Sequence, residues 1–357
     1  MNKTGLAWHP ACLKHEPYKS DPEIPSRISA TIGHLNETGL IKSLVELHVK
    51  PASDDDLMLV HDKGLIDYIR DTSRTGYDDL ALINTDAYVS PGTFEAATYA
   101  AGGAVAAAEA VWKGDVKNAF ALVRPPGHHA ARMLPAGFCF FNNMSVAIER
   151  LRREHGVKKV AVFDWDAHCG HGTMGIFYED PDILTVSIHQ DPSNFYPGTG
   201  FTEQVGDGAG AGYCMNIPVP PGTGDADYVH VLRDYVLPKF RRFNPDIIFV
   251  AAGQDGHVDD HMSGLKLTDD VYAAMAGILR DAAEELCRGR LVLTLEGGYN
   301  LGVMKRVNHR VLSVLSGGEK PTEVKGNPLD STAAVLEDLE VHLAGTPMGF
   351  NETSENR

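Results

Sequence analysis

Five short apolar runs recur through the middle of the chain: FALV at 120–123, VAVF at 160–163, LTVSI at 184–188, IIFVAA at 247–252 and LVLTL at 291–295. Each is nearly continuous rather than alternating and ends at Gly, Pro or a polar residue, the pattern of a strand buried on both faces. Between them lie PGTFEAATYAAGGAVAAAEAVWKG, MSVAIERLRREHG, ADYVHVLRDYVLPKFRRF and TDDVYAAMAGILRDAAEELCRG, whose Ala-rich or amphipathic patterns suit helices. Strand alternating with helix over most of the chain predicts an α/β fold, with a mostly parallel central sheet covered by helices on both faces. No Ser- or Pro-rich linker interrupts it. Residues 1–345 are therefore expected to form one domain, and TPMGFNETSENR at 346–357 reads as a frayed tail.

The residues after each run narrow the function. FALV leads into RPPGHH, VAVF into DWDAH, LTVSI into HQD, IIFVAA into GQDGH and LVLTL into EGGYN. Ligand sites of open parallel sheets lie beyond the carboxyl ends of the strands, so these polar clusters are expected to meet in one crevice. Asp166 and His168 stand two positions apart, which on extended chain points both side chains the same way. With Asp255 they make two carboxylates and an imidazole. Three N and O ligands with an open position suit a catalytic zinc, whereas structural zinc takes four ligands and favours cysteine. A lone Asp-x-His is usually a capped turn; convergence with other strand ends turns it into a ligand set. His128 and His129 follow a turn stiffened by prolines, and imidazole exchanges protons near neutral pH. Tyr299 follows Gly297 and Gly298, a hinge able to aim a phenol at a developing oxyanion.

Composition excludes other classes. A net charge of −16 disfavours direct nucleic-acid binding and leaves no polybasic stretch for a membrane surface. No apolar run reaches the ~18 residues of a spanning helix, and the N-terminus lacks a signal core. The five cysteines are scattered without a CxxC pair, as expected of reduced thiols in a cytoplasm. The remaining histidines, His257 and His261 included, read as loop, surface or satisfied core residues. Cys169 has no partner at ligand spacing.

Taken together and in this order, RPPGHHA, GFCFFNN, DWDAHCGHGT, FYPGTG, AAGQDG and LEGGYN resemble the histone deacetylase family and its arginase/deacetylase fold. The likeness is nearest to class II enzymes and to bacterial and archaeal histone deacetylase-like amidohydrolases, acetylpolyamine amidohydrolases among them. It runs from TGLAWHP and PEIPSRI to the helix after LEGGYN. The resemblance implies a single domain with about eight strands. It implies a zinc-dependent deacetylase that hydrolyses acetyl-lysine, in a peptide or protein, or a small acylated amine, to free amine and acetate. Asp166, His168 and Asp255 fall on the ligands of one Zn2+, His128 and His129 on the proton-handling pair, and Tyr299 on the oxyanion donor. Asp164 falls on the residue that orients the first histidine and, with Ser187, Ile188 and the backbone around His168, holds K+. Phe138 and Tyr196 match the tunnel walls, Gly137 the carbonyl beside them, Asp86 the rim aspartate and Arg27 the arginine where acetate leaves.

Three positions depart from the family pattern. Cys169 stands where His is usual, and His171 where Asn or Asp orients the second histidine, so His129 is expected to face another imidazole. Met262 occupies the rim where polyamine-specific relatives carry an acidic side chain, which favours acyl-lysine or a small acylated amine over acetylpolyamines. An acetylpolyamine amidohydrolase, a catalytically weak zinc-bound module that recognises acylated ligands, and a two-manganese ureohydrolase of the same broad fold remain as alternatives. No feature of the sequence reports whether the protein forms a homo-oligomer.

Overall fold

The computed structural model describes residues 3–16, 21–75, 78–79 and 86–350. Its strands are β1 (Thr4–Ala7), β2 (Val45–Glu46), β3 (Asp78–Asp79), β4 (Tyr88–Val89), β5 (Asn118–Ala121), β6 (Val160–Asp164), β7 (Ile183–Gln190), β8 (Cys214–Val219), β9 (Ile247–Ala252) and β10 (Leu291–Leu295). Its helices are α1 (Ser26–Glu37), α2 (Asp54–Leu57), α3 (Lys63–Thr75), α4 (Thr93–Lys113), α5 (Asn143–His155), α6 (His171–Phe177), α7 (Asp225–His230), α8 (Leu237–Phe243), α9 (Asp269–Cys287), α10 (Leu301–Leu315) and α11 (Asp330–Leu343).

Eight strands form one sheet in the order β2-β1-β5-β10-β9-β6-β7-β8, with every neighbouring pair parallel. The five apolar runs are the five contiguous strands β5-β10-β9-β6-β7. Helices cover both of their faces, which is why their sequences are apolar without alternation. β8 escaped the reading because Asn216 and Pro218 interrupt it, as an edge strand tolerates. β1 and β2 are too short to carry a pattern.

Successive residues of each strand feed opposite cores. Phe120, Phe163, Val186, Val250 and Leu293 pack with α1, α9 and α10, while Ala119, Val162, Phe249 and Val292 pack with α4 and α5. The stretch read as one helix at 226–243 is continuous but uneven, since Val231–Val236 winds as a π-helix just before Pro238. Proline offers no N–H to the preceding turn and crowds its carbonyl, and a wider turn relieves both.

The C-terminal segment differs from expectation. Met348 is buried, Lys239 Nζ donates to its carbonyl at 2.7 Å, and Phe350 N donates to Glu340 Oε2 at 3.0 Å. The chain is thus packed as far as Phe350, because a buried ammonium and a helix carboxylate each capture backbone there. Residues 351–357 of the expected tail lie outside the described residues. Among the described residues no helix is long and apolar enough to cross a membrane.

Candidate metal centre and pocket

The loops after β5, β6, β9 and β10 meet at the carboxyl edge of the sheet. Because β6 lies directly beside β9, the residues that follow them share one corner. One ligand atom each from Asp166, His168 and Asp255 lies within 4.8 Å of the others, and all three residues are buried. His168 Nδ1 stands 3.2 Å from Asp166 Oδ1 and 3.0 Å from Asp255 Oδ2. The other carboxylate oxygens are occupied, Asp166 Oδ2 by Gly297 N at 2.8 Å and Asp255 Oδ1 by Ala167 N at 3.0 Å. A side chain at Gly297 would collide with both carboxylates, so only glycine lets the backbone cross so close.

The electrostatics suit a cation. Burial, then the neighbouring charge of Asp166, pushes the Asp255 carboxyl up to about 6. Burial opposes charging of His168, but its hydrogen bonds to Asp166 and Asp255 prevail and raise it to about 9. A divalent ion among these donors would relieve the carboxylate repulsion and leave His168 neutral as a ligand, so the donor set fits such an ion.

The paired histidines are pushed in opposite directions. His128 Nδ1 is 3.0 Å from Asp164 Oδ2, and its Nε2 is 3.8 Å from Asp166 Oδ1. Burial disfavours its charged form, yet Asp166 and Asp164 outweigh burial and raise it to about 10. His129 faces His171, Nδ1 to Nδ1 at 3.1 Å. Burial, then repulsion from His128, His171 and His168, holds His129 well below the usual imidazole range. His171 is lowered to about 4 by burial and His128. Titratable neighbours driven apart in this way suit acid and base chemistry.

Sequence reasoning missed two supports of this centre. Glu296 Oε2 accepts from Gly127 N at 2.7 Å and His128 N at 3.0 Å, clamping the histidine turn from the end of β10. Its only signal was a carboxylate directly after a buried strand. Phe195 stacks on the His168 ring, with centroids 4.6 Å apart and planes 12° from parallel.

A cavity of about 110 Å³ opens onto these groups, lined by Asp86, His129, Gly137, Phe138, His168, Tyr196, Met262 and Tyr299. Phe138 meets Tyr299 edge-on at 5.8 Å, and Tyr196 meets His129 edge-on at 5.0 Å. Arg27 is not in the lining. It is fully buried behind Tyr299, with its guanidinium 4.9 Å from that ring. It donates to Glu23 Oε1 at 2.6 Å, to Gly298 O at 2.6 Å and to the Glu296 carbonyl.

The HQD cluster, whose His189 and Gln190 end β7, does not open into this cavity. His189 is buried, 2.8 Å from Ser187 Oγ and 2.8 Å from the Gly200 carbonyl, so it ties the FYPGTG loop to the sheet. Ser187 pairs in register with Asp164, and the Ile188 carbonyl accepts from Tyr228 OH at 3.4 Å. Cys169 Sγ points to Asn216 Oδ1 at 3.7 Å, and burial raises its pKa well above the usual thiol range, so it is a protonated core thiol. His257 is buried, with Nε2 2.8 Å from Asp269, and the His261 side chain is 67% exposed.

A doubly covered parallel sheet with a buried Asp-His-Asp donor set and a histidine pair beyond its strand ends defines an α/β protein built around a metal-type site. The family model described as histone deacetylase domain matches residues 21–315. A probable deacetylase of Archaeoglobus fulgidus is 41% identical, covering 88% of this chain and 86% of its own. A histone deacetylase-like amidohydrolase of Pseudomonas aeruginosa is 39% identical, covering 88% and 80%. The crystal structure of the HDA15 HD domain superposes with a TM-score of 0.88 at 34% identity, covering 97% of this chain and 96% of that one. The chain belongs to the histone deacetylase family, and its fold is the one expected from the motifs.

Proposed function

We propose that this protein is a zinc-dependent deacetylase that hydrolyses the N-acetyl amide of acetyl-lysine, or of a small acylated amine, to free amine and acetate. The observation that carries the reading is one narrow cavity whose lining includes His168 of the donor set, His129 and Tyr299. Asp166, His168 and Asp255 would hold the zinc, which supplies Lewis acidity for the acetyl carbonyl and a water of lowered pKa.

The chain's own groups do the rest. His129, kept neutral by burial and by its imidazole neighbours, takes the proton of the attacking water. His128, whose Nδ1 is paired with Asp164 Oδ2, stabilises the negative charge that develops beside it. Burial keeps the Tyr299 phenol protonated, so it donates a hydrogen bond to the tetrahedral oxyanion. The proton then passes from the histidine pair to the leaving amine. Phe138 and Tyr196 flank the acyl-lysine chain, the Gly137 carbonyl lies beside them, and Asp86 accepts from substrate backbone at the rim. Met262 puts no charge at the rim position where polyamine-specific relatives carry an acidic side chain. Asp164, Ser187 Oγ and the carbonyls of Ile188 and His168 suit a monovalent cation such as K+, and Arg27 backs the acetate end through Tyr299. The cysteines, all free and buried, suit a reducing cytoplasm.

Metal analysis followed by acetate release tests the proposal. One zinc per chain is expected, with acetate released from acetyl-lysine peptides faster than from acetylated spermidine, spermine, putrescine or cadaverine. No acetate from any substrate of the zinc-loaded protein would leave only a binding module. Two manganese ions per chain would point instead to a ureohydrolase.

A further inference from the structure

Asp260 lies on the loop after β9, in GHVDDHMSG, with its side chain 0% exposed. Its Oδ2 accepts two successive backbone N–H groups, Tyr299 at 2.7 Å and Asn300 at 2.8 Å. Its Oδ1 accepts from Met262 N at 3.1 Å. One buried carboxylate thus joins the rim turn to the peptide that carries the phenol. Hydrogen bonds to an ionised acceptor are the strong ones, roughly twice as strong as neutral pairs.

The Tyr299 segment needs such a hold. Gly297 and Gly298 precede it, and Gly298 at φ +113° sits in backbone space that other residues rarely enter. Arg27 fixes the carbonyl of Gly298, and the Asn300 side chain caps α10 through Gly302 N at 2.9 Å and Val303 N at 3.2 Å. Between those two anchors, Asp260 is the group that holds the amide of Tyr299 itself. A phenol at the end of its side chain magnifies any tilt of that peptide, and a misplacement of about 1 Å can cost about 10²-fold in rate.

We propose that Asp260 is the positioning residue for Tyr299, aiming the hydroxyl without touching substrate or metal. This rests on the deacetylase reading above. Its test is a double-mutant cycle on the zinc-loaded enzyme, with Asp260→Ala and Asp260→Asn each made in the wild-type and Tyr299→Phe backgrounds. Asp260→Ala is expected to lower kcat by about 10- to 100-fold with KM within about twofold and zinc content unchanged. In the Tyr299→Phe background the same change is expected to cost less than about twofold, because there is no hydroxyl left to aim. Asp260→Asn, which keeps one acceptor oxygen, is expected to fall between. Equal losses in both backgrounds, or a loss confined to KM, would overturn the proposal.

Hydrogen exchange supplies a readout independent of turnover. The amides of Tyr299 and Asn300 are expected to exchange faster in Asp260→Ala than in wild type, while those of β9 and β10 stay protected; unchanged exchange at both would overturn the proposal. Asp260→Asn carries both tests if the alanine variant does not fold. A wild type inactive on every substrate would sink the deacetylase reading, and exchange would still decide whether Asp260 holds the Tyr299 segment.

Discussion

His129 and His171 face each other through their Nδ1 atoms, 3.1 Å apart. Only one nitrogen of such a contact can carry the hydrogen. If His129 donates, its Nε2 keeps a lone pair for a substrate water, the tautomer a general base requires. The family's usual Asn or Asp at the position of His171 would accept that hydrogen without repelling a charged ring.

Activity should follow pH through His129. Burial and three surrounding imidazoles, His171 among them, depress His129, so the active neutral form persists well below pH 6.5 in the wild type. His171→Asn removes one of those repulsions, so the His129 pKa rises and the acid limb of kcat/KM moves to higher pH. Superimposable profiles for the two proteins would show that the rings are not coupled.

Tyr299→Phe should lower kcat by roughly 10² to 10³, the usual loss for one oxyanion donor, while zinc content and melting temperature stay put. Steady-state kinetics beside metal analysis check this. A variant within about threefold of wild type would remove Tyr299 from the chemistry.

Asp255→Ala takes away one of the three donors Asp166, His168 and Asp255. Zinc per chain after dialysis should drop from one to near zero, measured by elemental analysis, because two protein ligands seldom retain the ion. Full zinc retention would mean that Asp255 is not a ligand.

Met262 and Asp86 line the same cavity. Met262→Glu adds a second carboxylate there and should move the ratio of kcat/KM for acetylspermidine over acetyl-lysine peptide upward by about tenfold, equivalent to about 1.4 kcal/mol. No change in the ratio would place the selectivity determinant elsewhere.

Stability should also follow pH through His61. Its Nε2 accepts from Asn142 N at 2.9 Å, and its Nδ1 is 3.0 Å from the Ala131 carbonyl, which requires the neutral ring. Burial lowers its pKa from 6.5 to about 4. A depressed folded-state value means the unfolded chain binds the proton first, so this contribution is whole above pH 6.5 and is lost progressively as pH falls toward 4. The loss is roughly 2 kcal/mol by pH 5. Chemical denaturation of His61→Gln, which can make similar bonds without titrating, should show a shallower decline between pH 7 and 5 than the wild type. Equal slopes would refute the assignment.

Several of these features were legible in the residues alone. The runs at 120–123, 160–163, 184–188, 247–252 and 291–295 announce buried strands because two-sided burial leaves no room for polar alternation. His128, Asp166, His168, Asp255 and Tyr299 are visible because they follow those runs within a few residues. Glu296 follows one too, yet its partner His128 lies 168 positions away in the chain. Asp260 reaches Tyr299 across 39 positions. No local pattern encodes such a pairing.

The sequence by itself determined the five central strands, which chemistry would stand at their ends and which family the chain resembles, since each depends on neighbours a few residues apart. Only the tertiary structure decided the strand order. Placing β9 between β10 and β6 sets Asp255 against Asp166 and His168, and brings Gly297 onto Asp166. The same packing left His189 in the core as a tie instead of a pocket residue, and set Arg27 behind Tyr299. Those outcomes follow from how helices and loops fill space around the sheet, a property of the whole chain rather than of any segment.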